Sequence, residues 1–154
     1  MKIFIMRHGE AEHFADSDAE RQLTQRGRSE SEAVARACKE QGFAQFDKVL
    51  VSPYVRAQQT WQEISAYFSS AEIETCEDIT PYGQSDVVFD YTNALIEIGN
   101  LDSLLLVSHL PLVGYLTAEF VKDMAPPMFP TSGLVCLEYD PYTGNGELLW
   151  HITP

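Results

Sequence analysis

Three short runs of uninterrupted apolar residues constrain this chain more than any other feature: Ile3-Phe4-Ile5-Met6, Val49-Leu50-Val51 and Leu104-Leu105-Leu106-Val107. Each is too short for a fully buried helix and stops at polar residues. Each therefore reads as a strand buried on both faces. Between them the pattern changes to helical spacing. Residues 28–41 carry Ala33, Val34, Ala37 and Cys38, and Gly42 suits the helix end. Ser29-x-x-Glu32 offers a capping box, with Thr24 as an earlier starting point. Residues 54–68 place Ala57, Trp61, Ile64 and Phe68 on one stripe, and residues 86–98 do the same with Val87, Tyr91, Leu95 and Ile98. Ile73-Glu74-Thr75-Cys76 is a weaker strand. Pro111 suits the first turn of a helix bearing Val113, Leu116 and Phe120. Residues 134–139 and 148–152 flank Gly144-Asn145-Gly146 and read as an antiparallel hairpin.

Strands that alternate with helices predict an α/β domain. The expected architecture has three layers, α/β/α, with a mostly parallel central sheet and the hairpin at its end. The 154 residues are read as one domain, 1–154. In such sheets ligands bind outside the carboxyl ends of the strands. The three strong strands end in Arg7-His8-Gly9, in Ser52-Pro53 with Arg56 close behind, and in Ser108-His109. If these strands are parallel neighbours, two arginines and two histidines meet at one edge.

That inventory suits a tetrahedral dianion. Arginine grips phosphate through parallel hydrogen bonds, and neutral histidine attacks phosphorus or moves a proton. Gly9 is read as allowing backbone and ligand to approach closely. A metal centre built from His8, His13, His109 and Glu10 fits poorly, because two arginines would sit beside the cation and no His-Glu-x-x-His pattern exists. A serine hydrolase built on Ser108 and His109 lacks the Gly-x-Ser-x-Gly elbow. No metal or organic cofactor is implied.

Composition narrows the partners. With 10 basic and 23 acidic residues, the formal charge of −13 repels nucleic acid and anionic membranes. Any bound phosphate needs a local basic site. Cys38, Cys76 and Cys136 are widely spaced and odd in number, so neither a disulfide framework nor a zinc cluster is expected. No apolar run approaches the length of a membrane span, and the first residues lack the apolar stretch of a signal peptide, so the cytoplasm is the expected compartment.

These residues resemble the histidine phosphatase superfamily, which includes the phosphoglycerate mutases. The Arg-His-Gly motif matches Arg7-His8-Gly9, the second arginine matches Arg56 in Ser52-Pro53-Tyr54-Val55-Arg56-Ala57-Gln58-Gln59-Thr60, and the second histidine matches His109. The resemblance implies a phosphoglycerate mutase-like fold. It implies that His8 is the nucleophile that becomes phosphorylated, and that Arg7, Arg56 and His109 bind the phosphoryl group. Within the superfamily the chain is similar to the bacterial SixA-type phosphohistidine phosphatases, through Ile5–Gly9, Val49–Pro53, Val107–Leu116 and Pro126–Phe129 before Thr131-Ser132. That similarity implies hydrolysis of phosphohistidine on histidine-containing phosphotransfer domains or phosphocarrier proteins, with inorganic phosphate as product and a monomer sufficing. A small-molecule phosphatase or mutase of the same fold is one alternative. A phosphohistidine-binding module without turnover is another.

Only 52 residues separate Arg56 from His109, which leaves no room for a large cap subdomain. An open groove suits a side chain on another protein. The superfamily's proton-donating acid is matched most nearly by Asp78, with Asp18 in loop 10–24 as a rival. A protonated imidazole leaves easily, so a dedicated acid is dispensable. The carboxylates of loop 10–24, with Arg21, Arg26 and Arg28 after them, form a mixed-charge rim suited to contact with a partner protein.

Overall fold

The computed structural model describes residues 1–70 and 72–154. In chain order the elements are β1 (Lys2–Arg7), a 3-10 turn (Asp18–Glu20), α1 (Gln25–Glu40), β2 (Gln45–Phe46), β3 (Lys48–Val51) and α2 (Val55–Ile64). Then come a 3-10 turn (Ser65–Tyr67), β4 (Ser69–Ser70), β5 (Ile73–Thr75), a 3-10 turn (Glu77–Ile79), α3 (Ser85–Gly99), β6 (Ser103–Ser108), α4 (Leu112–Phe120), β7 (Leu134–Asp140) and β8 (Asn145–Ile152). Six strands form one sheet in the order β5-β3-β6-β1-β7-β8. The first four run parallel, β7 is antiparallel to β1, and β8 is antiparallel to β7. β2 and β4 form a separate two-stranded pair that the sequence pattern did not announce.

The apolar runs explain the layering. Alternate residues of a strand point to opposite faces. Ile3, Ile5, Leu50, Leu104 and Leu106 pack with Val88 and Ile96 of α3 and Leu112, Leu116 and Phe120 of α4. Phe4, Met6, Val49, Val51, Leu105 and Val107 pack with Val34, Ala35 and Cys38 of α1 and Ala57 and Ile64 of α2. One strand thus feeds two cores, and helices cover both faces. No helix among the described residues is long and apolar enough to cross a membrane. The three cysteines are buried and free.

Two local expectations are corrected, and one pair of alternatives is decided. α1 starts at Gln25, after Thr24, the earlier of the two starting points: Thr24 caps it, its hydroxyl accepting from the Gly27 N–H at 2.9 Å. Ser29 and Glu32 lie within the helix, so the capping box is not used. On α3 the buried stripe is Val88, Thr92 and Ile96, whereas Val87 is 46% and Ile98 85% exposed. Apolar residues occupy so many positions of that helix that several stripes compete. The hairpin turn falls earlier than Gly144-Asn145-Gly146, because Asn145 and Gly146 already pair with Asp140 and Tyr139.

β3, β6 and β1 lie side by side, and their carboxyl ends are level. Arg7 pairs with Ser108 and Val51 with Val107. The main chain continues this alignment one residue further: His8 N–H donates to Ser108 O at 2.9 Å and Ser52 N–H to Val107 O at 3.1 Å. Among the described residues, the connections leaving this edge hold the 3-10 turns Asp18–Glu20 and Glu77–Ile79 and an isolated bridge between Ala11 and Leu23.

Candidate active site

Three neighbouring strand ends bring four side chains together. His8 is held by its own main chain: Nδ1 lies 2.7 Å from Gly9 O. A carbonyl only accepts, so Nδ1 carries the proton and Nε2 keeps its lone pair. Arg56, in the first turn of α2, points Nε at that Nε2 from 3.3 Å. The ring of His109 lies 5.0 Å from the ring of His8, centroid to centroid. Arg7 Nη1 donates to Phe129 O at 2.8 Å. Tyr54 lines the same place, with its ring 5.0 Å below the Arg56 guanidinium and 5.1 Å from His109.

Gly9 is also a point of close packing. A Cβ there would meet Gly27 O and Ser31 Oγ at 2.7 Å, and a Cβ on Gly27 would fall 2.1 Å from Glu10 O. This close approach is to the first turns of α1. It lets α1 press the loop after β1 into place behind His8.

Burial makes both histidines neutral. Desolvation, opposed by the Gly9 bond and aided by Arg56, pushes His8 down to about 3. Desolvation, then His8 and Arg56, pushes His109 down to about 2. Burial and then Arg56 also lower Arg7. Two guanidinium groups and two uncharged imidazoles thus gather at one edge. Only three buried side-chain nitrogens among the described residues lack a partner, and Arg7 Nε and His109 Nδ1 are two of them. Buried polar groups left unpartnered are costly unless a ligand is to fill the site.

The third is His151 Nε2 on β8, whose ring packs 5.1 Å from Phe129.

The two candidate acids part company. Asp78 is exposed in the turn Glu77–Ile79, where its charge bears on Cys76 and Tyr91. Asp18 is drawn to the site. Arg56 Nη1 donates to its carbonyl at 2.7 Å and Nη2 to Oδ2 at 3.2 Å, while Arg21 Nη1 donates to Oδ1 at 2.9 Å. The Arg21 and Arg56 hydrogen bonds hold the Asp18 carboxyl below its usual range. An ionised carboxylate between two arginines accepts hydrogen bonds and has no proton to give. Loop 10–24 is tied down by these contacts and by Glu12 N–H to Gln22 O at 2.8 Å.

Four residues near the site escaped sequence reasoning. Thr60 Oγ1 accepts from Gly9 N–H at 3.0 Å and donates to Arg56 O at 2.7 Å, tying the loop after β1 to α2. Its position four residues after Arg56, on the same helical face, was the available signal. Arg21 adds a third positive charge that bears on His8. Ser132 N–H donates to His8 O at 3.0 Å, and its hydroxyl pairs with buried Ser31 at 2.9 Å. Ser52 Oγ lies 2.7 Å from His109 Nε2. Ser108, the serine adjacent to His109 in sequence, instead donates to Ile79 O at 2.7 Å.

A sheet edge that offers paired arginines and neutral histidines to an oxyanion defines a class, and the comparisons agree with it. The chain belongs to the histidine phosphatase superfamily: the family model "Histidine phosphatase superfamily (branch 1)" matches residues 3–82, a span that holds Arg7, His8 and Arg56. Within it, the chain is 43% identical to the phosphohistidine phosphatase SixA of Escherichia coli (strain K12), over all of this chain and 94% of that protein. It is 40% identical to the SixA homolog of Haemophilus influenzae, over 98% of this chain and 94% of that one. The solved structure of the protein histidine phosphatase SixA complexed with tungstate superposes with a TM-score of 0.93 at 41% identity, covering all of this chain and 97% of that one.

Proposed function

We propose that this chain is a protein phosphohistidine phosphatase that works through a covalent phosphohistidine on His8. The observation that carries the reading is the pair of buried nitrogens without partners, Arg7 Nε and His109 Nδ1, beside the bare Nε2 of His8. The likeness to SixA, solved with the tetrahedral oxyanion tungstate, supports it.

In the first step the Nε2 lone pair of His8 attacks phosphorus. The new N–P bond forms as the N–P bond to the substrate's imidazole breaks, and that imidazole leaves neutral, keeping the proton on its other nitrogen. Arg7, Arg56 and His109 hold the three equatorial oxygens as charge shifts between the two nitrogens. In the second step the oxygen of a water molecule attacks the same phosphorus. His8 recovers its lone pair and keeps its Nδ1 proton, and both protons of the water leave with inorganic phosphate as dihydrogen phosphate. No step requires an aspartic acid as donor, which agrees with the exposure of Asp78 and the ionisation of Asp18.

The proposed substrates are phosphohistidine residues on histidine-containing phosphotransfer domains or phosphocarrier proteins. Apart from loop 10–24, the connections that leave the strand ends are short, which favours a large partner over an enclosed small molecule. We take residues 1–154 to act as a single domain, as a monomer and in the cytoplasm. Single-turnover assays with a phosphorylated phosphotransfer protein and with phosphosugars test the substrate class. Fast transfer from the protein and slow transfer from the sugars is expected. The reverse order would point to a small-molecule phosphatase. Binding without release of phosphate would point to a recognition module.

A further inference from the structure

Ser52 follows β3 directly and is fully buried. Its Oγ lies 2.7 Å from His109 Nε2 and accepts a hydrogen bond from Tyr54 N–H at 3.2 Å. A hydroxyl has one proton and two acceptor sites, and Tyr54 uses one of the latter. His109 is neutral, pushed down to about 2 chiefly by burial, so one ring proton must sit on one of two nitrogens. Consider that proton on Nε2. Ser52 Oγ would accept twice, its own buried proton would have no acceptor, and Nδ1 would be a second unmet group. With the proton on Nδ1, Ser52 donates to Nε2 and only the Nδ1–H is unmet. The second arrangement leaves one buried group unsatisfied instead of two.

We infer that Ser52 is a positioning residue that fixes His109 in the Nδ1–H tautomer, so that His109 presents a hydrogen-bond donor to the phosphoryl group. This rests on the reading of the site given above. It gives the two histidines opposite tautomeric tasks. Gly9 O takes the Nδ1 proton of His8 and leaves a nucleophilic Nε2. Ser52 Oγ fills the Nε2 of His109 and leaves a donor at Nδ1. Were His109 to flip tautomers, a lone pair rather than a proton would meet the phosphoryl oxygens, and the site would lose a donor where charge develops. Ser52 acts through His109 alone, since its hydroxyl is enclosed between Tyr54 and the imidazole.

The test begins with the resting wild-type protein, uniformly labelled with nitrogen-15. Histidine nitrogen shifts distinguish protonated from bare ring nitrogens, and a His109→Gln variant assigns the signals. A protonated Nδ1 and a bare Nε2 are expected; the opposite pattern overturns the inference. Ser52→Ala should mix the two tautomers and slow phosphorylation of His8 by a phosphoprotein about tenfold, the loss expected for one buried hydrogen bond. Ser52→Thr, which keeps the hydroxyl, should restore the tautomer and most of the rate. An Ser52→Ala protein that folds, keeps the wild-type tautomer and reacts at the wild-type rate overturns the inference. The tautomer is read without substrate, whereas trapping of phosphate on His8 tests the enzymatic reading, so each can fail without the other.

Discussion

Asp18 and Arg56 are joined twice, main-chain carbonyl to Nη1 and carboxylate to Nη2. The 3-10 turn that carries Asp18 therefore sets where the guanidinium lies, and the guanidinium in turn reaches His8. Asp18→Ala should lower kcat/KM about tenfold through a misplaced Arg56. Asp18→Asn, which keeps an acceptor in place, should stay within a few-fold of wild type. A proton donor would behave differently: its loss in Asp18→Asn would cost roughly a hundredfold or more. Steady-state kinetics on a phosphoprotein substrate separates the two.

His8→Ala should abolish turnover and remove the acid-labile phosphate that the wild-type protein accumulates in a rapid quench. Full activity in this variant would mean that phosphorus is attacked by some other group. His109→Gln should still form the phosphorylated protein, but slowly, because one donor to the phosphoryl oxygens changes.

Acid should weaken the fold through the two histidines. Their folded values, about 3 and about 2, lie below the ordinary 6.5. Between those limits the unfolded chain binds more protons than the folded one. Stability is therefore fully present above about pH 6.5 and is lost as pH falls toward 3, by up to about 1.4 kcal/mol per unit for each histidine. Urea midpoints at pH 7 and pH 5 should fall more steeply for wild type than for His8→Ala. Equal slopes would show that His8 does not resist protonation.

Gly27→Ala should destabilise by about 2 kcal/mol, since the new methyl meets the Glu10 main chain and neither neighbour can yield cheaply. Because that contact backs the loop carrying His8 and Gly9, activity should fall along with the melting temperature.

Thr60→Val should leave Gly9 N–H buried without an acceptor, at a cost of about 1–3 kcal/mol. Thr60→Ser, which keeps the hydroxyl, should recover most of it. Chemical denaturation of the pair measures the difference.

His8, Arg7, Arg56 and His109 were legible in the sequence because apolar strands announce their own ends. Once β1, β3 and β6 were read as parallel, the residues after them shared an edge. Ser52 was quoted as a strand stop, but its bond to His109 crosses two strand ends and has no local pattern. The same holds for Asp18, whose partner Arg56 lies 38 positions away. The stripe of α3 was misread because Val87, Val88, Phe89, Tyr91, Leu95, Ile96 and Ile98 satisfy more than one helical face. Contact with the sheet and with α4, rather than periodicity, chose among them. Gly9 was read as a place where a ligand approaches; that it also packs against a helix at Gly27, 18 residues downstream, is something a tripeptide cannot reveal.

Arg56 Nε–H and the Nε2 lone pair of His8 sit 3.3 Å apart and face each other. One lone pair cannot both accept that hydrogen bond and form a bond to phosphorus. The resting imidazole is thus capped by the residue proposed above to bind the phosphoryl group. That hydrogen bond has to be given up before the same lone pair can bond to phosphorus.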